Sequence, residues 1–455
     1  MSWHVFASAL LALSHFGACA NAAPDVIRGV NLGGWLVTEP WITPSLFNAT
    51  ATGDEWHLTN VLGKEQALKT LQAHWSSFYS RDDFVQMKAA GLNSVRIPLG
   101  YWAVDLLDYE PYVSGQYPYL IQAVQWAKEV GLTVLIDLHG APGSQNGWEE
   151  TGLVGPILFT ANSSNSDRSL NVLKNLTTEF TKPIYGGVVT NIELLNEPIF
   201  ENKLLREFYT AGANVVGAAN SSGVNITIHD AFYNPPTWKN YDPWNDGATA
   251  PAQHVTLDTH QFWGFPPLND LTKEGVLAAV CSFGGTVKQL NSGILPTVVG
   301  EWSLNTGVTS NSTTDSANDQ VKRTWFRTLF EAQNAAYSPN AAGQPQIGWY
   351  YWAWRTEYDI DAWSYRKGIA QGYIPSNVSD PSTYAFPIME NGCINTSFPY
   401  QAAATVTTSS GAPSSTSSSS DPSSSSKGSK KSSASTARIS VTLIIVSMLL
   451  MVATI

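Results

Sequence analysis

The sequence predicts an α/β protein of the (β/α)8 TIM-barrel class, with long loops at the carboxyl ends of the strands. Eight short apolar runs recur along the chain, and several of them, such as the run around Leu135, are apolar on both faces. This pattern is typical of parallel strands that are buried on both sides. Amphipathic stretches of helical period lie between the runs, and Gly91 and Gly131 follow two of them, where glycine commonly ends a helix. Strands that alternate with helices in this way are the pattern of the barrel.

The predicted strands and helices belong to one domain, which spans residues 23–400. The strands are expected at Ile27–Asn31, Ser94–Pro98, Thr133–Leu138, Ile192–Leu195, Asn225–His229, Val255–Thr259, Thr297–Gly300 and Gly348–Trp352. The helices are expected at Arg81–Ala90, Tyr119–Glu129, Leu204–Ala219 and Asp319–Ala335. The stretch from Gly140 to Phe159 predicts one of the long loops. Because no Pro- or Ser-rich linker interrupts these residues, we expect a single domain.

The beginning of the chain indicates secretion. Residues 1–22 combine an apolar run with small residues before the end of the segment, the pattern of a signal peptide, although a buried helix is the alternative. Cys19 lies in that segment, so the mature chain keeps Cys281 and Cys393; an oxidising compartment favours their pairing, and two buried thiols are the alternative. Eight sequons are glycosylation candidates on exposed segments. They are Asn48, Asn162, Asn175, Asn220, Asn225, Asn311, Asn377 and Asn395.

The end of the chain indicates attachment to a membrane. Residues 401–438 are rich in Ser, Thr and Ala, and we expect a disordered stalk that includes small residues suited to GPI attachment. Residues 439–455 form an apolar tail at the lower length limit for a membrane-spanning helix. A GPI-anchor signal is the first interpretation and a C-terminal membrane helix is the second. Either would hold the protein at the cell surface or in the cell wall, outside the plasma membrane.

The composition favours a neutral partner over a charged one. The net charge is −11 at pH 7 and 13% of the residues are charged, which argues against nucleic acid, because phosphates require basic patches. The chain contains 17 Trp and 18 Tyr. Aromatic faces can stack on the apolar C–H faces of sugar rings, although most tryptophans fill a protein core.

Polar residues follow the predicted strands at the end where barrel enzymes place their chemistry. The set is Glu39, Arg96, His139, Asn196, Glu197, His260 and Glu301, with Trp352 at the end of the last strand. Random surface residues would not collect in this way on one rim. We therefore expect a functional site there.

Two glutamates at one barrel mouth are the groups that glycoside hydrolysis requires. One protonates the departing oxygen, and the other attacks the anomeric carbon when the configuration is retained, with carboxyl groups about 5 Å apart. Glu197 and Glu301 each follow an apolar strand. Asn196 could donate to a sugar 2-hydroxyl, and Arg96 could keep the nucleophile ionised. Taken singly, each residue has a plainer explanation: a surface turn for the glutamates, a structural ion pair for Arg96, a core histidine for His139.

The motifs resemble those of fungal exo-β-1,3-glucanases of glycoside hydrolase family 5. The resemblance rests on residues 28–41, Val95–Pro98, Asp137–Gly147, Leu195–Pro198, Gly300–Trp302 and Tyr351–Trp352. It covers nearly the whole predicted domain. It implies a (β/α)8 barrel, retention of configuration, and no metal or organic cofactor.

Site roles follow from the resemblance position by position. It implies that Glu197 is the acid/base and Glu301 the nucleophile. The polar residues implied around them are Arg96, His139, Asn196 and His260. The residues implied to line the subsite for the terminal glucose are Glu39, Asn146 and Trp352. Trp148 and Phe265 are implied to clamp the next sugar, and Cys281 and Cys393 to form a disulfide.

Two positions depart from the family pattern. Phe262 stands in place of a tyrosine whose hydroxyl would contact the nucleophile, which should increase the carboxylate's reliance on Arg96 and shift the pH optimum. Trp148 replaces a phenylalanine, which puts the linkage preference in doubt. The sequence therefore predicts a monomeric exo-β-1,3-glucanase that acts on β-glucan polysaccharide or oligosaccharide in cell-wall remodelling. The alternatives are a β-1,6-glucanase or β-glucosidase on the same scaffold, and a glucan-binding wall protein without turnover.

Overall fold

The computed structural model describes residues 26–310 and 320–404, which form a closed barrel of eight parallel strands in chain order. Each strand pairs with the next, and the eighth pairs with the first. The predicted barrel is confirmed. The strands are β1 Ile27–Asn31, β2 Ser94–Gly100, β3 Thr133–Gly140, β4 Val189–Glu193, β5 Asn225–His229, β6 Val255–Trp263, β7 Thr297–Thr306 and β8 Gln346–Tyr351.

Helices cover the outside of the barrel and occupy parts of the long connections. The four predicted helices are present with ends that differ by one or two residues. Others, such as the helices at Ser163–Phe180 and Lys273–Val287, were not predicted. The helices are α1 Pro44–Phe47, α2 Glu55–Leu62, α3 Lys64–Trp75, α4 Arg81–Ala89, α5 Tyr117–Val130, α6 Ser163–Phe180, α7 Asn202–Ala219, α8 Lys273–Val287, α9 Gly307–Ser310, α10 Gln320–Tyr337 and α11 Tyr365–Ala370.

Several strand ends differ from the prediction, and the differences change how the site is built. β4 ends at Glu193, so Glu197 lies in the loop after the strand. Leu194 and Leu195 are fully buried loop residues, and because of their apolar character the predicted strand ended two residues too late, at Leu195 instead of Glu193. β6 and β7 continue further than predicted, so His260 and Glu301 lie within strands.

The barrel interior is layered from an apolar floor to a polar opening. Leu135 and Val298 lie near the amino ends of β3 and β7 and form a buried apolar cluster with Tyr350. Because side chains alternate along a strand, Asp137 and His139 follow Leu135 on the same inward face of β3. The polar residues of the site therefore lie above a closed floor. We call the side of the barrel at the carboxyl ends of the strands the upper face.

The last described residues pack against the start of α10. Gln320 Nε2 donates to the carbonyl of Ala402 at 2.5 Å, and the backbone N–H of Ala402 donates to Thr324 Oγ1 at 3.0 Å. Arg323 donates to the carbonyl of Ala403 at 2.6 Å. The packed domain therefore extends beyond the predicted boundary at residue 400.

A disulfide joins Cys281 in α8 to Cys393 in the C-terminal segment. The bond closes a loop with a sequence separation of 112 residues. A cross-link of this span restricts the unfolded chain strongly, so we expect the double variant with both cysteines changed to serine to lose about 4–5 kcal/mol of unfolding free energy on the chain-entropy model. Urea unfolding of the two proteins without reductant measures the difference. Equal midpoints would contradict the expectation.

Some predictions concern residues outside the described ranges. They are the signal peptide at 1–22, Asn311, the stalk beyond 404 and the apolar tail at 439–455. The other sequon asparagines are exposed at Asn48, Asn162 and Asn175, and half-buried at Asn220, Asn225, Asn377 and Asn395. Among the helices of residues 26–310 and 320–404, none combines the length and apolar character needed to cross a bilayer.

Candidate active site

Arg96 lies at the centre of a cluster of carboxylates inside the barrel. The side chain is fully buried, and it donates to Glu193 Oε2 at 2.9 Å and to Glu301 Oε1 at 2.8 Å. Asp137 Oδ2 lies 3.1 Å and Asp258 Oδ2 lies 3.7 Å from its nitrogens. Burial lowers the pKa of the guanidinium, but these four carboxylates outweigh burial and raise the pKa well above its usual value. Arg96 is therefore a permanent positive charge below the opening.

The two predicted catalytic glutamates meet at one histidine. His260 Nδ1 lies 2.5 Å from Glu197 Oε1 and 3.5 Å from Glu301 Oε2. Since one nitrogen contacts both side chains, their nearest oxygens are closer than the roughly 6.5 Å at which the spacing of inverting enzymes begins. Both glutamates are slightly exposed, at 7% and 5%, so they face the opening of the barrel.

The loop after β4 holds Glu197 in a constrained backbone conformation. Its φ is +41°, in the left-handed region that residues other than glycine rarely adopt, and Pro198 follows. Asn146 Nδ2 donates to the carbonyl of Glu197 at 3.0 Å, and Gln145 Nε2 donates to the carbonyl of Asn196 at 3.0 Å. The long loop after β3 therefore fixes the turn that presents Glu197. Backbone strain retained in this way is common at functional sites.

Asn196 and His139 each keep one buried polar atom that has no protein partner among the described residues. Asn196 Oδ1 accepts from Arg96 at 2.7 Å, which leaves Asn196 Nδ2 as an unused donor. His139 Nδ1 lies 2.6 Å from Asp137 Oδ2, which leaves His139 Nε2 unused. The ring of Trp352 stacks on His139 with centroids 5.6 Å apart. Unpaired buried polar atoms beside an aromatic face suit a ligand that carries both hydroxyls and apolar C–H groups.

Further carboxylates line the side of the opening between the loops after β1 and β3. Glu39 Oε2 accepts from Trp41 Nε1 at 3.1 Å, and Glu150 Oε1 accepts from Asn146 Nδ2 at 2.7 Å. Burial raises the pKa of Glu39 and of Glu150, and neighbouring carboxylates add to the effect. The sequence analysis did not select Glu150. Its position three residues after the motif Asp137–Gly147 is the feature of the sequence that could have indicated it.

Aromatic side chains form two walls at the entrance. Trp148 packs against Phe232 with ring centroids 6.0 Å apart, on the side of the loop after β5. Phe265 packs against Phe262 with centroids 6.0 Å apart, on the side of β6. Phe232 and Phe265 are exposed at 42% and 41%. The predicted clamp residues Trp148 and Phe265 therefore each belong to an aromatic pair, and Phe232 is a member that the sequence reasoning missed.

The acids of the site compete for protons. Burial raises the pKa of Glu301 to about 8, and the charge of Glu197 adds to this rise, whereas His260 and Arg96 oppose it. Burial also lowers the pKa of His260. Three carboxylates outweigh that effect and raise the pKa well above its usual value: Glu301, Asp258 and Glu197. The protonation of each of these acids and of the imidazole therefore depends on the charge of the others.

Comparison with known proteins decides the family. The family described as cellulase (glycosyl hydrolase family 5) matches residues 59–357. The chain belongs to glycosyl hydrolase family 5.

Relatives of this family 5 protein are similar over most of its length. It is 38% identical over 390 residues to the probable glucan 1,3-beta-glucosidase A of Aspergillus fumigatus, covering 78% of this chain and 88% of the relative. It is 39% identical over 396 residues to glucan 1,3-beta-glucosidase 2 of Wickerhamomyces anomalus, covering 77% and 88%. Rutinosidase from Aspergillus niger has a similar fold, with a TM-score of 0.64 and 20% identity over 77% of this chain and 98% of that structure.

One group of side chains in the family 5 barrel has the composition of a metal site. Ligand atoms of Glu197, His229 and His260 lie within 4.8 Å of one another. His229 Nδ1, however, accepts from the backbone N–H of Ala231 at 3.0 Å, so the hydrogen of its neutral ring is on Nε2. His260 Nδ1 and Glu197 Oε1 lie within hydrogen-bond distance of each other, at 2.5 Å. The residues present therefore offer a hydrogen-bonded group rather than three free lone pairs.

Sequence reasoning missed the buried residues that support the site of the family 5 hydrolase. Asp137, Glu193 and Asp258 are fully buried inside strands, and Asn31 donates to the carbonyl of Gly300 at 2.8 Å. Asp137 and Asp258 each lie two positions before a predicted site residue, His139 and His260, on the same face of the strand. A buried acid inside an apolar strand was the signal that could have found them.

We expect the thermal stability of the hydrolase to fall as pH rises from about 4.5 to about 7. Burial raises the pKa of Glu55 to about 7 and of Asp230 to about 6, so each folded carboxyl group binds its proton more tightly than the unfolded chain does. The stabilising contribution is complete below the unfolded pKa and is lost as pH rises through the folded pKa. Thermal unfolding across this range measures the effect. Glu55→Gln should show a shallower decline, and an unchanged slope would contradict the expectation.

Proposed function

We propose that this protein is a retaining exo-β-1,3-glucosidase that releases glucose from the end of β-1,3-glucan. The contact of His260 with both glutamates carries the proposal, because it places the two carboxyl groups close enough together to act on the same glycosidic bond. The substrate class is supported by the relatives, whose names describe glucan 1,3-beta-glucosidases.

In the first step Glu301 attacks the anomeric carbon of the terminal glucose and Glu197 protonates the departing glycosidic oxygen. The C–O bond to the leaving sugar breaks as the bond from Glu301 forms, which gives a glycosyl-enzyme intermediate. In the second step Glu197 takes a proton from water, which attacks the same carbon and releases Glu301. Two inversions return the original configuration.

The proton must sit on the Glu197 side for this sequence to begin. Burial raises the pKa of Glu301, but of the two acids it is Glu301 that accepts a hydrogen bond from Arg96, at 2.8 Å. Glu197 instead contacts His260 Nδ1 at 2.5 Å. Because a guanidinium favours the ionised form of the carboxylate it contacts, we assign the charge to Glu301 and the proton to the Glu197–His260 pair.

The remaining roles follow the geometry of the opening. The unused Asn196 Nδ2 and His139 Nε2 would bind hydroxyls of the terminal glucose above Trp352. Glu39 and Asn146 would line its other side, and the aromatic walls with Trp148 and Phe265 would hold the next sugar. A neutral glucan also suits an opening lined with carboxylates, since an anionic sugar would be repelled.

The cellular part of the proposal rests on the sequence. We propose a secreted monomeric glycoprotein that is tethered to the plasma membrane through a GPI anchor and remodels wall glucan. The signal-peptide pattern of residues 1–22, the sequons, and the Ser/Thr-rich and apolar segments after residue 404 support this. Release of the protein from cells by a phosphatidylinositol-specific phospholipase tests the anchor against a membrane helix.

Product analysis tests the activity. The protein is incubated in parallel with laminarin, a β-1,3-glucan, and with pustulan, a β-1,6-glucan, and the products are followed over time. We expect glucose of retained β-configuration to be released from laminarin first, without early oligosaccharides. Faster cleavage of pustulan would indicate a β-1,6-glucanase instead. Early oligosaccharide products would indicate endo action instead of exo action. Binding without release of any product would indicate a glucan-binding protein.

A further inference from the structure

We propose that Asp258 is a positioning residue that sets which nitrogen of His260 shares the acid/base proton with Glu197. This inference rests on the proposed roles of Glu197 and Glu301 and adds a buried residue that contacts neither substrate nor reacting atoms. Asp258 lies in β6, two positions before His260, and is fully buried.

The two oxygens of Asp258 face different parts of the site. Oδ1 accepts from the backbone N–H of Gly300 at 2.7 Å, directly before Glu301 in β7. Oδ2 lies 3.7 Å from His260 Nε2 and 3.7 Å from Arg96 Nε. Within residues 26–310 and 320–404, Oδ2 has no hydrogen-bond partner at closer range. A side chain at position 300 would overlap this carboxylate, so Gly300 is needed for the approach.

The position of Asp258 determines the state of the imidazole. A carboxylate near His260 Nε2 favours a hydrogen on that nitrogen, in the neutral ring and in the charged ring alike. Nδ1 is then the nitrogen that gains and loses a proton, and it lies 2.5 Å from Glu197 Oε1. With the hydrogen moved to Nδ1 in the neutral ring, Glu197 would face a donor and could not pass its proton to the ring.

Other charged and titratable groups around His260 come from every neighbouring strand. They are Glu197 after β4, His229 and Asp230 at the end of β5, Glu301 in β7 and Arg96 in β2. The His229 ring meets His260 edge-on with centroids 4.4 Å apart, and burial lowers the pKa of His229, so it is neutral. Asp258 is the carboxylate on the Nε2 side of the ring. Its negative charge raises the affinity of the His260–Glu197 pair for the shared proton.

The test is the pH profile of Asp258→Asn, which keeps the side-chain shape and removes the charge. With 4-nitrophenyl β-glucoside as substrate, we expect kcat to fall roughly tenfold or more, a part of the contribution of general acid–base catalysis. The alkaline limb of kcat should move to lower pH by about half a unit or more, because the pair holds its proton less tightly. With 2,4-dinitrophenyl β-glucoside, the leaving group needs little protonation. The variant's loss of rate in the first step should therefore be smaller with this substrate than with 4-nitrophenyl β-glucoside.

Glu193→Gln is the matched control. Glu193 is equally buried and contacts Arg96 at 2.9 Å, so its replacement also removes a negative charge from the cluster. We expect its alkaline limb to stay near that of the wild type. An unmoved limb in Asp258→Asn, or equal movement in both variants, would overturn the proposal.

If Asp258→Asn does not fold, a measurement on the wild-type protein tests the same proposal. Nitrogen-15 shifts of labelled histidine side chains, assigned with His260→Gln, report which ring nitrogen of His260 carries hydrogen. We expect a protonated Nε2 at every pH at which the protein is folded, and an unprotonated Nε2 would refute the role of Asp258. This readout needs no turnover, so failure of the proposed activity would be seen separately, as wild-type protein that cleaves neither aryl glucoside.

Discussion

Glu301→Gln is expected to abolish turnover, with a fall in kcat of roughly 10⁴-fold or more. Glutamine has nearly the same shape, so the opening and its contacts with substrate remain, but the amide cannot form the glycosyl-enzyme bond. Substrate binding should therefore persist while hydrolysis stops. Glucose release from laminarin and calorimetric titration with a short β-1,3-glucan oligosaccharide measure the two properties separately.

Glu197→Ala is the informative partner variant for this prediction. A substrate with an activated leaving group should still form the intermediate in it, because Glu301 is intact, and added azide should enter the space of the missing side chain. The product would then be the β-glucosyl azide, formed through two inversions. An α-product would reverse the assignment of the two glutamates. Near-normal activity in Glu301→Gln would remove the mechanism altogether.

Arg96→Met is expected to be the most destabilising change in the site. Arg96 faces four buried carboxyl groups, so its loss removes the permanent positive charge that compensates them in the interior. We expect a loss of about 3–5 kcal/mol in the free energy of unfolding, together with loss of activity. The loss should be smaller at acid pH, where the carboxyl groups take up protons. Urea unfolding at two pH values measures this.

Arg168→Met provides the control for a charge cluster outside the opening. Arg168 also contacts two carboxylates, Asp105 at 2.9 Å and Glu110 at 2.8 Å, with a side chain that is only 12% exposed. Its replacement should reduce stability but leave kcat on laminarin close to the wild-type value. Equal loss of kcat in the two variants would show that activity follows stability alone. Arg96 would then have no separate role in holding Glu301.

The fold was predictable because its signals are local and repeated. Apolar runs with the strand period, helical stretches between them and glycines at helix ends are all readable without tertiary information. The rim residues were readable for the same reason, since a polar residue directly after an apolar run stands out. His260 and Glu301 were selected in this way, although both turned out to lie inside strands that run further than predicted.

The remaining parts of the site depend on geometry that the order of residues does not contain. The turn at Glu197 depends on contacts from the loop after β3. Phe232 reaches Trp148 only because the loop after β5 folds toward it. Asp258 looks like an ordinary polar interruption in an apolar strand until the barrel closes and brings it below His260. Long-range closure, rather than local propensity, selects these residues.

The contact between the C-terminal segment and the first turns of α10 has a consequence for orientation. α10 runs from the upper face back toward β8, so Ala402 and Ala403 lie at the level of the substrate opening. The last described residue, Ala404, therefore lies on that same side. A tether attached at that point would place the substrate opening on the side of the protein that faces the attachment surface. Such an enzyme would act on polymer close to that surface rather than on polymer that approaches from the far side of the barrel.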